Sequence, residues 1–250
     1  MPARILTWNL ERTQPLRGRG SAAVDHVFSL APDIAVLTET RITFPKRGGH
    51  TLWSKPPRKP RHDADERTVL AWSRQPFSDV DHAGAPGLDT SRFVAATTET
   101  PIGPIRVLAV CIPWHMAEVT YPIDVKRRPW ELHLDYLAIL ADMIAGVTVP
   151  TIVVGDFNQR IPRVRYGNHR AAQALAAAFQ PLQIVTEGVL KGVSRPGIDH
   201  IALSDHLQAQ TVWGWPNQVD GRRLSDHDGS GVDIGLAPAR PTTLPRSVEP

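Results

Sequence analysis

The chain has 250 residues, of which 42% are hydrophobic and 21% are charged, and these proportions are ordinary for a folded globular protein. Its only cysteine, Cys111, excludes disulfides within the chain and argues against a structural zinc site built on thiolates. The net charge is +3, with basic residues concentrated at 44–67 and 157–186. These basic loops suit a polyanionic, phosphate-bearing partner. They also reflect the general arginine richness of the chain, so both explanations stay open.

No apolar signal core precedes the first predicted strand, and no apolar run is long enough to cross a bilayer. We therefore expect a cytoplasmic protein without stable membrane association, and we expect it to be a monomer.

The first half of the chain predicts several strands and one helix. A strand at residues 5–8 is followed by a polar loop and by a helix that Ser21 caps and that runs to Leu30. Residues 41–67 are typical of a long, basic, proline-rich surface loop. The remaining strands are predicted at 34–37, 68–73, 92–98 and 105–112.

The second half predicts two helices among further strands. One helix runs from Pro129 to Ala145, because apolar residues recur there at helical spacing, and a short alanine-rich helix covers 171–179. Strands are predicted at 151–154, 184–186, 198–203, 211–215 and 232–236. So many strands with three helices favour an α/β fold in which two mixed sheets pack face to face between outer helices, a four-layer αββα sandwich. We expect a single domain over residues 1–237 and a proline-rich tail at 238–250.

Polar side chains recur where these strands end. Thr151–Val154 is an apolar run that stops at Gly155 and delivers Asp156 and Asn158, two residues apart. Any one such end is also explained by an ordinary turn in which the side chain bonds nearby backbone. The whole set consists of Asn9, Glu39, Asp156, Asn158, Asp199, His200, Asp226 and His227.

This set contains four carboxylates, two amides and two imidazoles. Hard oxygen ligands in this number favour Mg²⁺ or Mn²⁺ over zinc or copper. An imidazole beside such a cation is suited to polarising a phosphoryl oxygen.

The ordered motifs WN, TE, GDFN, DHI and SDH, between Asn9 and His227, resemble those of the endonuclease/exonuclease/phosphatase superfamily. The resemblance implies the αββα sandwich, a divalent metal, Mg²⁺ or Mn²⁺, and hydrolysis of a phosphate ester by in-line attack of water. It also implies Glu39 as the principal metal ligand, with Asn9 and Asp226 nearby.

By the same resemblance, Asp156 orients or deprotonates the attacking water and Asn158 contacts the phosphate. His227 is implied to contact the scissile phosphate and Asp199 to hold that imidazole. Arg92, at a strand start, resembles a phosphate-contacting arginine, although a plain edge-strand charge explains it equally well.

One position departs from the family pattern, which usually carries a His or Tyr at the end of the strand 105–112. Aligning Pro113 places Cys111 there, whereas the spacing from Arg92 places His115 there. We favour His115, because an imidazole performs acid–base chemistry more readily than a buried thiol.

The substrate stays open between three hypotheses: a nuclease or phosphodiesterase acting on nucleic acid, a phosphatase or phosphodiesterase acting on a small or lipid-linked phosphate ester, and an inactive scaffold that binds phosphate or nucleic acid. The first is preferred, and the third is disfavoured because the required carboxylates are present.

Trp53, Trp114 and Trp130 adjoin basic segments and are able to stack on bases. We expect them instead to pack beneath their own loops.

Overall fold

The computed structural model describes residues 1–58, 63–164 and 167–238. Its helices are α1 (Gly18–Ser29), α2 (Glu131–Ala145) and α3 (His169–Ala178), and a short 3-10 helix spans Thr90–Arg92. Its strands are β1 (Ala3–Asn9), β2 (Ile34–Arg41), β3 (His50–Trp53), β4 (Glu66–Ser73), β5 (Phe77–Asp81), β6 (Phe93–Thr100), β7 (Gly103–Cys111), β8 (Thr151–Asp156), β9 (Gln183–Ile184), β10 (Asp199–Leu203), β11 (Leu207–Trp215), β12 (Gln218–Val219), β13 (Arg222–Arg223) and β14 (Gly229–Leu236).

Two mixed sheets of six strands form the centre of the molecule. The first has the order β11-β14-β1-β2-β4-β3 and the second the order β5-β6-β7-β8-β10-β9. Each sheet has one parallel pair near its middle, β1 with β2 and β7 with β8, and the other pairs are antiparallel. The parallel pairs are connected through α1 and α2, and their strands therefore end at the same edge of each sheet.

Alternation of side chains along each strand builds three apolar cores. On β1, Ile5 joins the core between the two sheets, whereas Leu6 and Trp8 join the core that the first sheet forms with α1. On β8, Val154 faces the first sheet, and Val153 packs with residues of α2 and α3. Each fully buried Ile or Leu contributes about 2 kcal/mol through the apolar area removed from water. The predicted four-layer αββα sandwich is confirmed.

Two elements differ from the sequence prediction. The helix α1 begins at Gly18, and its N-cap, Arg17, makes no side-chain cap, so Ser21 lies inside the helix rather than at its start. The predicted loop 41–67 contains β3, which pairs with β4 from His50 to Trp53. A short edge strand draws its stability from its partner, so its own sequence signals it weakly. Residues 59–62 of this loop and 239–250 of the predicted tail lie outside the described residues, and the domain boundary at 237 remains a prediction.

In the part of the chain that the structure describes, no helix combines the length and the hydropathy needed to cross a membrane.

Candidate active site

The central strands of both sheets end around one cavity of about 670 Å³. The first sheet contributes Asn9 from β1 and Glu39 from β2, and the second contributes Cys111 from β7 and Asp156 from β8. Loops contribute Asn158, Asp226 and His227, and the 3-10 helix contributes Arg92, and these are the other predicted site residues that line the cavity. The structure therefore brings most of the predicted strand-end residues together.

Strand periodicity explains how Asn9 and Asp156 come to face each other across the two sheets. Asn9 lies four residues after Ile5 and Asp156 lies two residues after Val154, and both of those apolar residues point into the core between the sheets. Asn9 Nδ2 donates a hydrogen bond of 3.1 Å to Asp156 Oδ2. This bond ties the two sheets together at the edge where the cavity lies.

Gly155 lets β7 and β8 approach closely just before Asp156. Its φ is +142°, and a Cβ atom there would lie 1.9 Å from the carbonyl oxygen of Val110. A residue with a side chain would force the strands apart or change the backbone. The glycine in the motif GDFN is therefore required by the packing of the strand that carries Asp156.

Two site residues adopt the left-handed backbone conformation, Glu39 with φ +48° and Asn158 with φ +53°. Asparagine tolerates this conformation, whereas for glutamate it is rare and costs roughly 1 kcal/mol or more. In β2 it turns the Glu39 side chain toward the cavity, which Glu39 lines. Strain of this kind is commonly found at functional sites.

Asp156 is a buried carboxylate with an unusual proton affinity. It is 1% exposed, and its Oδ1 accepts a 2.8 Å hydrogen bond from the backbone N–H of Asn158. Burial, followed by the negative charge of Asp199, raises the pKa of Asp156 to about 7. A carboxylate with such a pKa is able to accept a proton near neutral pH.

His227 and Asp199 form a tight pair beside Asp156. His227 Nδ1 donates to Asp199 Oδ2 over 2.6 Å, while Asp199 Oδ1 is buried without a hydrogen-bond partner among the described residues. Burial lowers the pKa of His227, but the charge of Asp199 and this hydrogen bond outweigh it and raise the pKa to about 10. The imidazole is therefore positively charged at neutral pH, and its Nε2 is available as a donor.

Ser225 and Trp8, which belong to the motifs SDH and WN but were assigned no role from the sequence, fix the loop that carries His227. Ser225 Oγ donates to the carbonyl of Asn9 over 2.6 Å and accepts from the backbone N–H of His227 over 3.1 Å. Trp8 Nε1 donates to the carbonyl of His227 over 2.8 Å. Each residue is adjacent to a predicted site residue within its motif, and membership of that motif was the signal that the sequence offered.

Glu39 is held by an arginine that the sequence did not indicate. Arg12 Nη2 lies 2.9 Å from Glu39 Oε1, and Arg12 also lines the cavity. Asp226 is half exposed, and its Oδ1 lies 3.9 Å from His227 Nε2. Glu39 and Asp226 thus both present carboxylate oxygens at this end of the cavity.

The end of β7 places Cys111, and not His115, at the cavity. Cys111 is directly opposite Asp156 in the β7–β8 ladder, and Arg92 Nη1 lies 3.6 Å from its Sγ. Burial raises the pKa of the Cys111 thiol well above its ordinary value, so the thiol stays neutral. His115 is exposed, its ring lies between those of Trp114 and Trp130, and it is absent from the described residues that line the cavity. The alignment based on Pro113, which puts Cys111 at the end of this strand, therefore describes the structure better than the spacing from Arg92, which puts His115 there.

The second imidazole of the strand-end set, His200, points away from the site. It is fully buried, its Nδ1 lies 3.1 Å from Thr186 Oγ1, and its Nε2 lies 3.0 Å from the carbonyl of Gln159. Alternation along β10 places Asp199 toward the first sheet and therefore sends the next residue to the opposite face. His227 is thus the single imidazole among the described residues that line the cavity.

Two neighbouring sets of side chains carry groups that are able to hold a divalent cation. Asp156, Asp199 and His227 offer ligand atoms within 4.8 Å of one another. A protonated His227 cannot ligate a metal, however, and its Nδ1 is already bonded to Asp199. Glu39, Asn9 and Asp226 line the same cavity and offer hard oxygen atoms, and they fit Mg²⁺ or Mn²⁺ better.

A model of the Endonuclease/Exonuclease/phosphatase family matches residues 6–227, nearly the whole chain. The chain belongs to this family. Members of the family are hydrolytic phosphoesterases and are typically dependent on a divalent metal. No curated protein matches the chain by sequence.

Several solved structures are similar to this chain over nearly its whole length. An AP endonuclease from Archaeoglobus fulgidus superposes with a TM-score of 0.68 at 15% identity, covering 92% of this chain and 98% of its own. The 3′ phosphatase NExo from Neisseria, bound to a product DNA hairpin, superposes with a TM-score of 0.66 at 18% identity, covering 92% of this chain and 98% of its own. The human Nocturnin catalytic domain with bound sulfate superposes with a TM-score of 0.65 at 18% identity, covering 94% of each chain. At these identities the likeness establishes the shared fold.

Proposed function

We propose that this protein hydrolyses phosphate ester bonds of nucleic acid or nucleotides, using Mg²⁺ or Mn²⁺ and in-line attack of water. The observation that carries the proposal is the cavity in which Asp156, the Asp199–His227 pair and the oxygen atoms of Glu39, Asn9 and Asp226 meet. The similar structures of an AP endonuclease and of a 3′ phosphatase bound to DNA favour a nucleic-acid substrate. An inactive scaffold would not need these carboxylates together.

In the proposed reaction Asp156 is the general base. A water oxygen attacks the phosphorus atom while its proton passes to Asp156, whose pKa of about 7 suits this transfer. The bond between phosphorus and the leaving oxygen breaks on the opposite side, and the leaving oxygen takes up a proton from solvent. A divalent cation held by Glu39, Asn9 and Asp226 would act as a Lewis acid toward the phosphoryl oxygens.

The remaining side chains hold the phosphate in place. His227 donates from Nε2 to a phosphoryl oxygen, while Asp199 fixes its orientation through Nδ1. Asn158 already donates one N–H of Nδ2 to the carbonyl of Ile112 over 2.9 Å, and its second N–H serves the phosphate. Arg92 lines the same cavity and adds a positive charge. His115 is left out of this set because of its position outside the cavity.

A second candidate function, a phosphatase of a small phosphate ester, is favoured by one specific observation. The basic residues around the site are paired with acids: Arg12 with Glu39, Arg58 with Asp124, and Arg92 with Asp89. A groove for duplex nucleic acid normally presents unpaired cations to many phosphates. The predicted cytoplasmic, monomeric state is part of this proposal for either substrate.

A substrate panel tests the proposal and separates the two candidates. Plasmid DNA, single-stranded DNA, RNA, bis-p-nitrophenyl phosphate, mononucleotides and inositol phosphates are each incubated with Mg²⁺, with Mn²⁺ and with excess EDTA. We expect metal-dependent hydrolysis of at least one nucleic acid or nucleotide and its loss in EDTA. Full activity in EDTA, or no turnover of any phosphate ester, would overturn the proposal.

A further inference from the structure

The cavity continues beyond the catalytic end toward a wall built by two loops. Pro57 and Arg58 come from the loop after β3, and Trp114, Ile123 and Arg127 come from the loop between β7 and α2. The ion pair between Arg58 Nη2 and Asp124 Oδ2, 3.1 Å apart, joins the two loops. At about 670 Å³ the cavity has the size of a site for a small molecule rather than an open groove for a duplex.

Trp114 does not pack beneath its own loop as expected from the sequence. It is 46% exposed and lines the cavity, and its ring stands perpendicular to that of His115 with the centroids 5.2 Å apart. Trp53, by contrast, packs against the outer core of the first sheet, and Trp130 contacts His115 and His133. An aromatic ring presented to a polar cavity is suited to stacking on another planar ring.

The backbone that carries Trp114 is firmly anchored next to the catalytic end. The carbonyl of Ile112 accepts a 2.9 Å bond from Asn158 Nδ2, and the carbonyl of Pro113 accepts a 2.6 Å bond from the buried His133 Nδ1. Trp114 lies two residues along the chain from Ile112, whose carbonyl is bonded to Asn158. Since two extended residues span at most about 7 Å, the backbone of Trp114 lies close to Asn158.

The charges of this wall also suit a nucleotide. Arg127 lines the cavity, and its Nη1 bonds Glu131 and Asp135 at 3.1 and 3.2 Å. Its guanidinium carries further N–H groups beyond those at Nη1. Leu132 and Ile123 supply apolar surface beside it. The wall therefore combines a stacking ring, apolar contacts and a donor group, which are complementary to the base and to the oxygen atoms of a nucleotide.

We propose that Trp114 is the platform on which the base of the substrate stacks, so that the substrate is a nucleoside phosphate, either free or at the end of a single strand. This inference deepens the proposed function and rests on it for the position of the phosphate. It makes the base, and not only the phosphate, a determinant of binding.

Calorimetric titration tests the platform without turnover. The Asp156→Asn variant serves as background, so that no ligand is consumed, and it is combined with Trp114→Ala, with Trp114→Phe or with Tyr121→Ala, an exposed aromatic of the same loop. The ligands are adenosine monophosphate, ribose 5-phosphate, which lacks the base, and a single-stranded oligonucleotide with a terminal phosphate.

We expect Trp114→Ala to weaken binding of adenosine monophosphate by about tenfold or more and to leave the affinity for ribose 5-phosphate unchanged. Trp114→Phe should retain most of the affinity for adenosine monophosphate. Tyr121→Ala should change neither ligand. Tighter binding of the oligonucleotide identifies a strand end as the source of the nucleotide, and equal or weaker binding identifies the free compound. Equal binding of the two small ligands, or equal losses for both in Trp114→Ala, overturns the inference. Absence of hydrolysis in the substrate panel would instead refute the proposed function, whatever these titrations show.

Discussion

At the scale of single residues, the pair of Asp199 and His227 determines the charge beside the phosphate. Their 2.6 Å hydrogen bond is short, and it forms between an acid that is 1% exposed and an imidazole whose pKa is raised to about 10. The carboxylate orients the ring and keeps it protonated, so its main contribution to the reaction passes through the imidazole. Loss of either side chain should therefore remove the same contribution to the reaction.

A double-mutant cycle measures this dependence. Asp199→Ala and His227→Ala should each lower kcat by about 10²-fold or more, and the double variant should lose little more than the worse single variant. The measurement is kcat of the four proteins on the best substrate of the panel, with folding checked by circular dichroism. Losses that multiply would show that the two residues act independently.

At the scale of elements, the buried His133 fastens α2 to the ends of β7 and β8. Its Nδ1 donates to the carbonyl of Pro113 over 2.6 Å, and its Nε2 accepts from Gln159 Nε2 over 2.7 Å, so the folded protein holds the neutral ring. Gln159 also donates to the carbonyl of Ala171 in α3 over 3.0 Å. This network fixes the backbone on both sides of the site.

The network predicts how stability depends on pH. Burial, which outweighs the bond to Pro113, lowers the pKa of His133 to about 4, below the ordinary value of 6.5. Between pH 6.5 and about 4 the unfolded chain therefore binds a proton that the folded protein does not, so this residue makes stability fall as pH falls. Across the window its share of the loss is on the order of 3 kcal/mol.

Denaturant unfolding of the wild type and of His133→Gln at pH 7, 6, 5 and 4 measures the effect. We expect a shallower fall in the free energy of unfolding for the variant than for the wild type. The exposed His82→Asn is the control and should follow the wild type. Parallel curves for the wild type and His133→Gln would show that His133 titrates alike in both states.

At the scale of the whole molecule, the candidate site exists only where the two sheets meet. Asn9 and Glu39 belong to one sheet and Asp156 to the other, and their side chains share the cavity. Because the unfolded chain has no such arrangement, a cation held there binds the folded state alone. Binding should then stabilise the fold, and above Kd the gain should rise with the logarithm of the cation concentration.

Thermal unfolding with and without Mg²⁺ tests this linkage. At about 100 times Kd the gain is about 2.7 kcal/mol, which corresponds to a rise in Tm of roughly 5–10 °C for a chain of this size. Glu39→Gln should lose most of the Mg²⁺-induced rise, whereas Asp142→Asn, an exposed acid on α2, should keep it. The same rise in both variants would exclude Glu39 as a ligand.

The sequence by itself determined the four-layer architecture and the carboxylates that reach the site. Both are readable because an apolar run with period two and the polar residue that ends it are local features. The order of the motifs from Asn9 to His227 added the family and the expected divalent metal. Short edge strands such as β3 escaped prediction, because pairing with β4 stabilises them more than their own composition does.

Beyond these carboxylates, only the tertiary structure decided which side chains face the cavity. The register of β7 against β8 places Cys111 opposite Asp156, and the chain then turns away before His115. The ion pair between Arg12 and Glu39 and the exposure of Trp114 likewise depend on how loops and strands pack against one another. These contacts join residues far apart in the chain, so their outcome depends on packing and register, which short sequence patterns do not encode.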